Sequence, residues 1–155
     1  MLKKIFMAAI IIFTVMIFFS YDENQNPTPK NTVAVAQEVK TMQIKISIGE
    51  KTFDAVLFDN AAARAFYEKL PLNVTMTEFN GNEKFYSLDK NLPSLDKKVD
   101  NIRTGDLMLW LSNTVVLFYQ DFYSGYNYTR LGKIKNPEGL LDAVGSGNIS
   151  VKFEK

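Results

Sequence analysis

Leu107-Met108-Leu109-Trp110-Leu111-Ser112-Asn113-Thr114-Val115-Val116-Leu117-Phe118-Tyr119 is the stretch that decides the fold. Two apolar runs flank a Ser-Asn pair suited to a chain reversal, which predicts a β-hairpin. Leu107, Leu109 and Leu111 share one face of the first run, and Met108 and Trp110 share the other. Few positions are polar, so the strand is expected to be covered on both sides. Downstream, Tyr126, Tyr128 and Arg130 alternate with Asn127 and Thr129 in an aromatic strand that continues or bends at Gly132. Asn136 then serves as a helix cap, with Pro137 at the first helical position and Glu138 near the positive end of the dipole. Leu140, Leu141 and Val144 are expected to face inward, and Gly145 ends the helix. Ile149, Val151 and Phe153 alternate in a last strand.

The same two-residue period runs upstream. Ile44, Ile46 and Ile48, a Gly49-Glu50 turn, and Phe53, Ala55 and Leu57 read as a hairpin. Asp59 or Asn60 caps a helix over 61–70 that aligns Ala62, Phe66 and Leu70, and Pro71 prevents it from continuing. Leu72, Val74 and Met76 resume the alternation. After Phe79, Asn80-Gly81-Asn82 supplies residues that tolerate positive φ, and 83–88 returns as a partner strand. For Asn80 to Lys84 the turn itself is sufficient explanation. The segment 89–104, with Pro93 and several charges, is a long irregular connection, the kind that is often functional or mobile. About eight short strands and two short helices, without a βαβ rhythm, predict a mainly β domain. Eight is the number at which a closed barrel fills with side chains and abolishes its edges.

The amino-terminal end has a different composition. An uncharged apolar run over 5–19 follows Lys3 and Lys4, the order of an export signal. Phe18, Phe19 and Ser20 put bulky rings where a cleavage site wants small residues. Two fates stay open for residues 1–21, a cleaved signal peptide or a retained membrane anchor. Residues 22–41, polar and carrying Pro27 and Pro29, read as a flexible linker, and 42–155 as the folded domain. The expected location is therefore extracytoplasmic: periplasmic, extracellular or membrane-tethered, with the membrane touched only through the first segment. The chain has 18 basic and 17 acidic residues, and loss of Lys3 and Lys4 with residues 1–20 would take its net charge from +1 to −1. Such a near-neutral domain offers nucleic acid no electrostatic footprint. Lacking cysteine, it must be held by its core alone.

From about Gln43 to Phe153 the chain resembles the small bacterial cyclophilin-like barrel proteins. The matching segments are the Asp-Asn-x-x-Ala-x-Ala-Phe helix start at 59–66, Leu-Pro-Leu at 70–72 and Asn-Gly-Asn-Glu-Lys at 80–84. Tyr-x-Tyr-x-Arg-x-Gly at 126–132 and the Pro-x-Gly-Leu helix leading to Gly-x-Gly at 137–147 complete the set. The resemblance implies a closed eight-stranded cyclophilin-like β-barrel with two short capping helices. The cyclophilins that isomerise prolyl bonds use an arginine to stabilise the twisted amide, together with a Phe-His-Arg strand motif. This chain has no histidine and no Phe-x-Arg, so that motif does not carry over. Of Arg64, Arg103 and Arg130, the last is placed best, beside Tyr126 and Tyr128.

Without histidine or cysteine, no His-based triad, thiol nucleophile or His/Cys metal site can be built. Neither a catalytic residue nor a cofactor or metal is expected. Gly145-Ser146-Gly147 follows a helix rather than preceding one, so it reads as a helix stop and not as a phosphate loop. The candidate ligand-binding residues are Arg130, Tyr128, Tyr126, Phe118, Phe79 and Arg64. For the cluster of Phe118, Tyr119, Phe122, Tyr123, Tyr126 and Tyr128 the plain reading is cross-strand packing, and the sharper one is a concave aromatic wall. For Arg130 the plain reading is an ion pair with a carboxylate such as Asp121 or Glu138. Three roles follow: a non-catalytic module for a proline-containing peptide or small ligand, a weak prolyl isomerase using Arg130, or an accessory domain of an envelope enzyme.

Overall fold

Alternation of buried and exposed side chains runs through β1 (Met42–Ile48) and β2 (Lys51–Leu57), as their sequences require. Gly49, at φ +57, opens the two-residue turn that pairs Ile48 with Lys51. The computed structural model describes residues 42–155, and the export segment and linker expected at 1–41 lie outside the described residues. Helix α1 (Ala61–Glu68) starts at Asn60, whose Oδ1 accepts from the Ala63 amide at 2.9 Å. It ends two residues before the expected Leu70, yet Leu70 is still buried beside Ala62, Ala63 and Phe66. Phe66 meets Phe153 edge to face at 5.5 Å, which seats the helix on the barrel core.

The remaining elements are β3 (Leu72–Phe79), β4 (Glu83–Ser87), β5 (Lys97–Lys98), β6 (Asn101–Ile102), β7 (Asp106–Trp110), β8 (Thr114–Phe118), β9 (Phe122–Tyr123), β10 (Asn127–Ile134), α2 (Leu140–Val144) and β11 (Ile149–Glu154). Eight of the strands form a closed antiparallel barrel in the order β2-β1-β11-β3-β4-β8-β7-β10. Its seam is the pairing of Gly132 with Leu57 and of Ile134 with Ala55. Closure leaves none of the eight without a partner on either side. Strand β5 extends the sheet beyond β10, and β6 with β9 forms a separate two-stranded ribbon. Among the described residues no helix is long and apolar enough to cross a membrane.

The β7–β8 hairpin is buried on both sides except at Trp110, which is 40% exposed at the end of β7. Leu107, Leu109, Val115 and Leu117 face the barrel interior, whereas Met108, Val116 and Phe118 form an outer cluster with Val99, Ile102 and Tyr128. Val99 and Ile102 belong to the β4–β7 connection. That connection is therefore not the bare irregular loop expected over 89–104: it carries β5 and β6 and buries Leu92, Val99 and Ile102 against the barrel.

Two details of the expected packing are corrected. Leu111 does not join the core face of β7. Trp110 pairs with Thr114, so Leu111, Ser112 and Asn113 make the reversal; Leu111 (φ +49) and Ser112 (φ +67) are left-handed, and Leu111 is 61% exposed. Helix α2 also begins later than expected. Asn136 Oδ1 accepts from the Glu138 amide at 3.1 Å to make a local turn, and Gly139, at φ +76, stands at the helix start. Only about one turn follows, too short for three inward positions, so Leu140 and Val144 are buried while Leu141 is 54% exposed.

Candidate functional site

Strand β10 supplies one wall of an open cleft, and an irregularity in its pairing shapes that wall. Arg130 pairs with Met108 and Gly132 with Leu107, so Leu131 is an extra residue opposite β7. A bulge of this kind bends a strand and re-aims its side chains. Leu131 is fully buried, while the Arg130 side chain retains 46% of its exposure. Asn60 ties the start of α1 to this point: its Oδ1 caps the helix, and its Nδ2 donates to the Arg130 carbonyl at 2.9 Å. The Phe58 amide donates to the Leu131 carbonyl at 2.9 Å.

The β4–β7 connection forms the facing wall. Lys97 pairs with Tyr128 and Lys98 with Asn127. The Leu95 amide donates to Thr129 Oγ1 at 2.8 Å, and that hydroxyl donates to Asp96 Oδ1 at 2.6 Å. Ser94 and Ser112 share a hydroxyl–hydroxyl bond of 3.0 Å. Between α1, β10 and this strap lies an open cleft of about 500 Å³. Phe58, Ala61, Pro93, Leu95 and Tyr128 give it apolar surface, and Lys97, Lys98 and Arg130 supply charge.

The structure brings two of the six candidate residues, Arg130 and Tyr128, together in this cleft. Phe118 stands behind them, fully buried, with its ring 5.5 Å from that of Tyr128 and perpendicular to it. Tyr126 precedes β10 and is 67% exposed, outside the cleft lining. Phe79, at the end of β3, packs edge to face on Phe85 at 6.1 Å, and Arg64 pairs with Asp59. The six do not share one surface, and the cluster of Phe118, Tyr119, Phe122, Tyr123, Tyr126 and Tyr128 does not form one aromatic wall: Phe118, Tyr119 and Tyr128 are buried, while Tyr123 and Tyr126 are exposed. Local alternation fixes which face a ring leaves from but not what covers it: Tyr128 is roofed by the strap, whereas Tyr123 and Tyr126 are not.

Arg130 does face a carboxylate, though neither of the two named as examples. Asp121 is bound to Arg103 at 2.8 Å and to the Thr104 amide and hydroxyl; its carboxyl is pulled down to about 2, chiefly by the Thr104 amide and then by Arg103. Arg130 instead faces Asp106, with Nη1 3.8 Å from Oδ2. That separation is beyond a hydrogen bond and leaves the guanidinium donors available. Burial pushes the Asp106 carboxyl up, opposed by the Arg103 amide and by the charges of Arg130 and Lys133.

Sequence reasoning missed the strap residues Pro93, Leu95, Lys97 and Lys98 as site components, although the length of that connection was the available signal. It also missed a second polar cluster, where Lys84 is completely buried. Lys84 Nζ donates to Glu78 Oε2 at 2.5 Å, to the Gly147 carbonyl at 2.7 Å and to the Gly145 carbonyl at 3.0 Å. These bonds use all three ammonium donors. Tyr119 Oη donates to Glu78 Oε2 at 2.8 Å, and the Gly81 amide to Oε1 at 2.8 Å. Burial alone would raise the Glu78 carboxyl; the bonds from Lys84, Tyr119 and Gly81 outweigh it and hold it below its ordinary value. The Tyr119 phenol is pushed up to about 12 by burial and by its bond to Glu78. Gly145-Ser146-Gly147 is thus more than a helix stop, because two of its carbonyls hold a buried cation.

The chain matches the model of the cyclophilin-like family over residues 46–154. Its structure is similar to the solution structure of a hypothetical protein from Archaeoglobus fulgidus. The TM-score is 0.52 at 19% identity, covering 77% of this chain and 98% of that one, a likeness of fold. No curated protein matches the chain in sequence.

Proposed function

The chain belongs to the cyclophilin-like family, and from that premise we propose that it is an exported, non-catalytic binding module whose cleft takes a proline-containing peptide or a small apolar ligand. The observation that carries this reading is the cleft itself: about 500 Å³ between α1, β10 and the strap, largely apolar, with a few convergent polar groups. That volume and balance are those of small-ligand and peptide sites, where apolar contact supplies affinity and isolated polar groups fix orientation. Phe58 and Pro93 offer apolar surface to a prolyl ring or a short apolar side chain. Titrating the protein with proline-containing peptides should shift the NMR amide signals of 93–99 and 128–130. Arg130→Ala should weaken binding by about 1 kcal/mol, the scale of a partly exposed polar contact. Signals in those segments that stay still across the peptide set would end this reading.

The half-exposed guanidinium of Arg130 beside an apolar surface also favours a second reading, a weak prolyl isomerase in which Arg130 stabilises the twisted amide. In the same experiment, a prolyl-peptide isomerisation assay is expected to show equal background rates for the intact protein and Arg130→Ala. Faster turnover by the intact protein would favour the enzyme instead. Export rests on Lys3, Lys4 and the apolar run over 5–19. The protein is expected in the extracytoplasmic fraction of producing cells, and its mass there distinguishes the two fates: a loss of about twenty residues means cleavage, and none means an anchor. Recovery in the cytoplasm at full mass would refute export.

A further inference from the structure

We propose that the ligand of the cleft is an acidic peptide segment, one that presents Asp or Glu side chains beside its apolar or prolyl residue. This inference rests on the binding reading above and adds the chemistry that would select among peptides. Cations stand on both walls of the cleft, Lys97 and Lys98 on β5 and Arg130 on β10, and none of the lining residues is acidic. The cluster is local. Lys3, Lys4, Lys30 and Lys40, with Asp22, Glu23 and Glu38, account for the charges before residue 42, and the domain that follows has equal numbers of basic and acidic residues.

The nearby carboxylates neutralise the cluster only in part. Asp59 pairs with Arg64, and Asp96 accepts the Thr129 hydroxyl. Asp100 pairs with Lys98 at 3.0 Å and also takes a bond from the Tyr123 hydroxyl. Asp106 is 3.8 Å from Arg130 and accepts instead from the Arg103 amide. Among the described residues Lys97 makes no ion pair, and Arg130 makes no side-chain hydrogen bond. A carboxylate arriving between the walls would find a planar, under-used guanidinium on one side and a free ammonium on the other. Arginine in particular suits such a partner, because its fork of donors matches both carboxylate oxygens. With two cationic walls flanking an apolar surface, a segment carrying acidic side chains around an apolar residue is the complementary shape and charge.

The test is a matched pair of C-terminally amidated peptides, identical around a central proline except that one has Glu where the other has Gln. Each is titrated into the protein by calorimetry and by NMR at low salt and again at about 0.3 M salt. The Glu peptide is expected to bind roughly tenfold more tightly at low salt, as for a charge-assisted contact. The gap should shrink at high salt, where rim charges are screened. Lys97→Gln and Arg130→Gln should each reduce the preference, while Lys45→Gln, on the far hairpin, should leave it unchanged. Equal affinities, or tighter binding of the Gln peptide, with cleft signals shifting in both titrations would overturn the acidic preference and leave the binding reading standing. If neither peptide moves the signals of 93–99 and 128–130, both fall together.

Discussion

Lys84→Met is expected to lower folding stability by about 3–5 kcal/mol, the range for stripping one partner from a buried ion pair. Methionine keeps the length and apolar stem of the lysine but removes the ammonium. Glu78 then loses its counter-charge, and the Gly145 and Gly147 carbonyls lose their donor. Glu78 keeps Tyr119 and Gly81 as partners and has a side chain 21% exposed, so the lower part of the range is expected. Adding Glu78→Gln to Lys84→Met should recover part of the loss, because the orphaned charge is removed as well. Urea unfolding near neutral pH, followed by circular dichroism, measures both; a loss under about 1 kcal/mol for Lys84→Met would sink the idea that this cage holds the end of α2 to the barrel.

The same cage shapes the pH profile of stability. The Glu78 carboxyl lies below its ordinary value in the folded state, so its contribution is complete above that value and is lost as pH falls through the folded pKa. Glu83 behaves in the opposite sense. Burial, and then the charge of Glu78, push it up from 4.5 to about 7, so the folded protein holds a proton there that the unfolded chain releases. Stability therefore declines as pH rises between those two values. The urea midpoint should peak near the lower end of that interval, and Glu83→Gln should flatten the decline above it.

Gly132→Ala is expected to cost about 3 kcal/mol, the upper part of the range for forcing extra volume into a packed site. A Cβ at this position would lie 2.3 Å from the Val56 carbonyl oxygen and 2.9 Å from Leu57 Cα. Both obstructing atoms are backbone, so no side-chain rotation relieves the contact. They belong to β2, and Gly132 pairs with Leu57 at the seam that closes the barrel. The reason for glycine here is close approach of two strands rather than an unusual φ. Gly125→Ala is the matched control, since nothing lies within 4 Å of a Cβ there. Thermal unfolding should show a clear drop for Gly132→Ala and little change for Gly125→Ala; equal midpoints would mean that the seam has slack that the packing does not show.

Much of this architecture is written in local sequence. Ile44, Ile46, Ile48, Phe53, Ala55 and Leu57 alternate because a strand has a two-residue period, and all are buried. Asn60 caps α1, Gly49 turns the first hairpin, and Asn80 and Gly81 take positive φ between β3 and β4. Each depends on a few neighbouring residues, so each could be read without knowing the rest of the chain. The closed barrel follows from the number and period of such strands, with no cysteine to staple anything else.

What the tertiary structure alone decided lies where distant segments meet. Lys84 appears in sequence as an ordinary polar residue after a turn; it is buried because Gly145 and Gly147, 61 and 63 residues away, bring carbonyls to it. Arg130 faces Asp106, while Asp121 is held by Arg103 and Thr104. The cleft exists because the strap from Pro93 to Val99 lies over β10, a docking made by hydrogen bonds of Leu95 and Asp96 to Thr129. Periodicity is a property of the backbone and survives in a one-dimensional string. Which polar group neutralises which, and what roofs an aromatic ring, depend on distances across space, and those exist only after the barrel has closed.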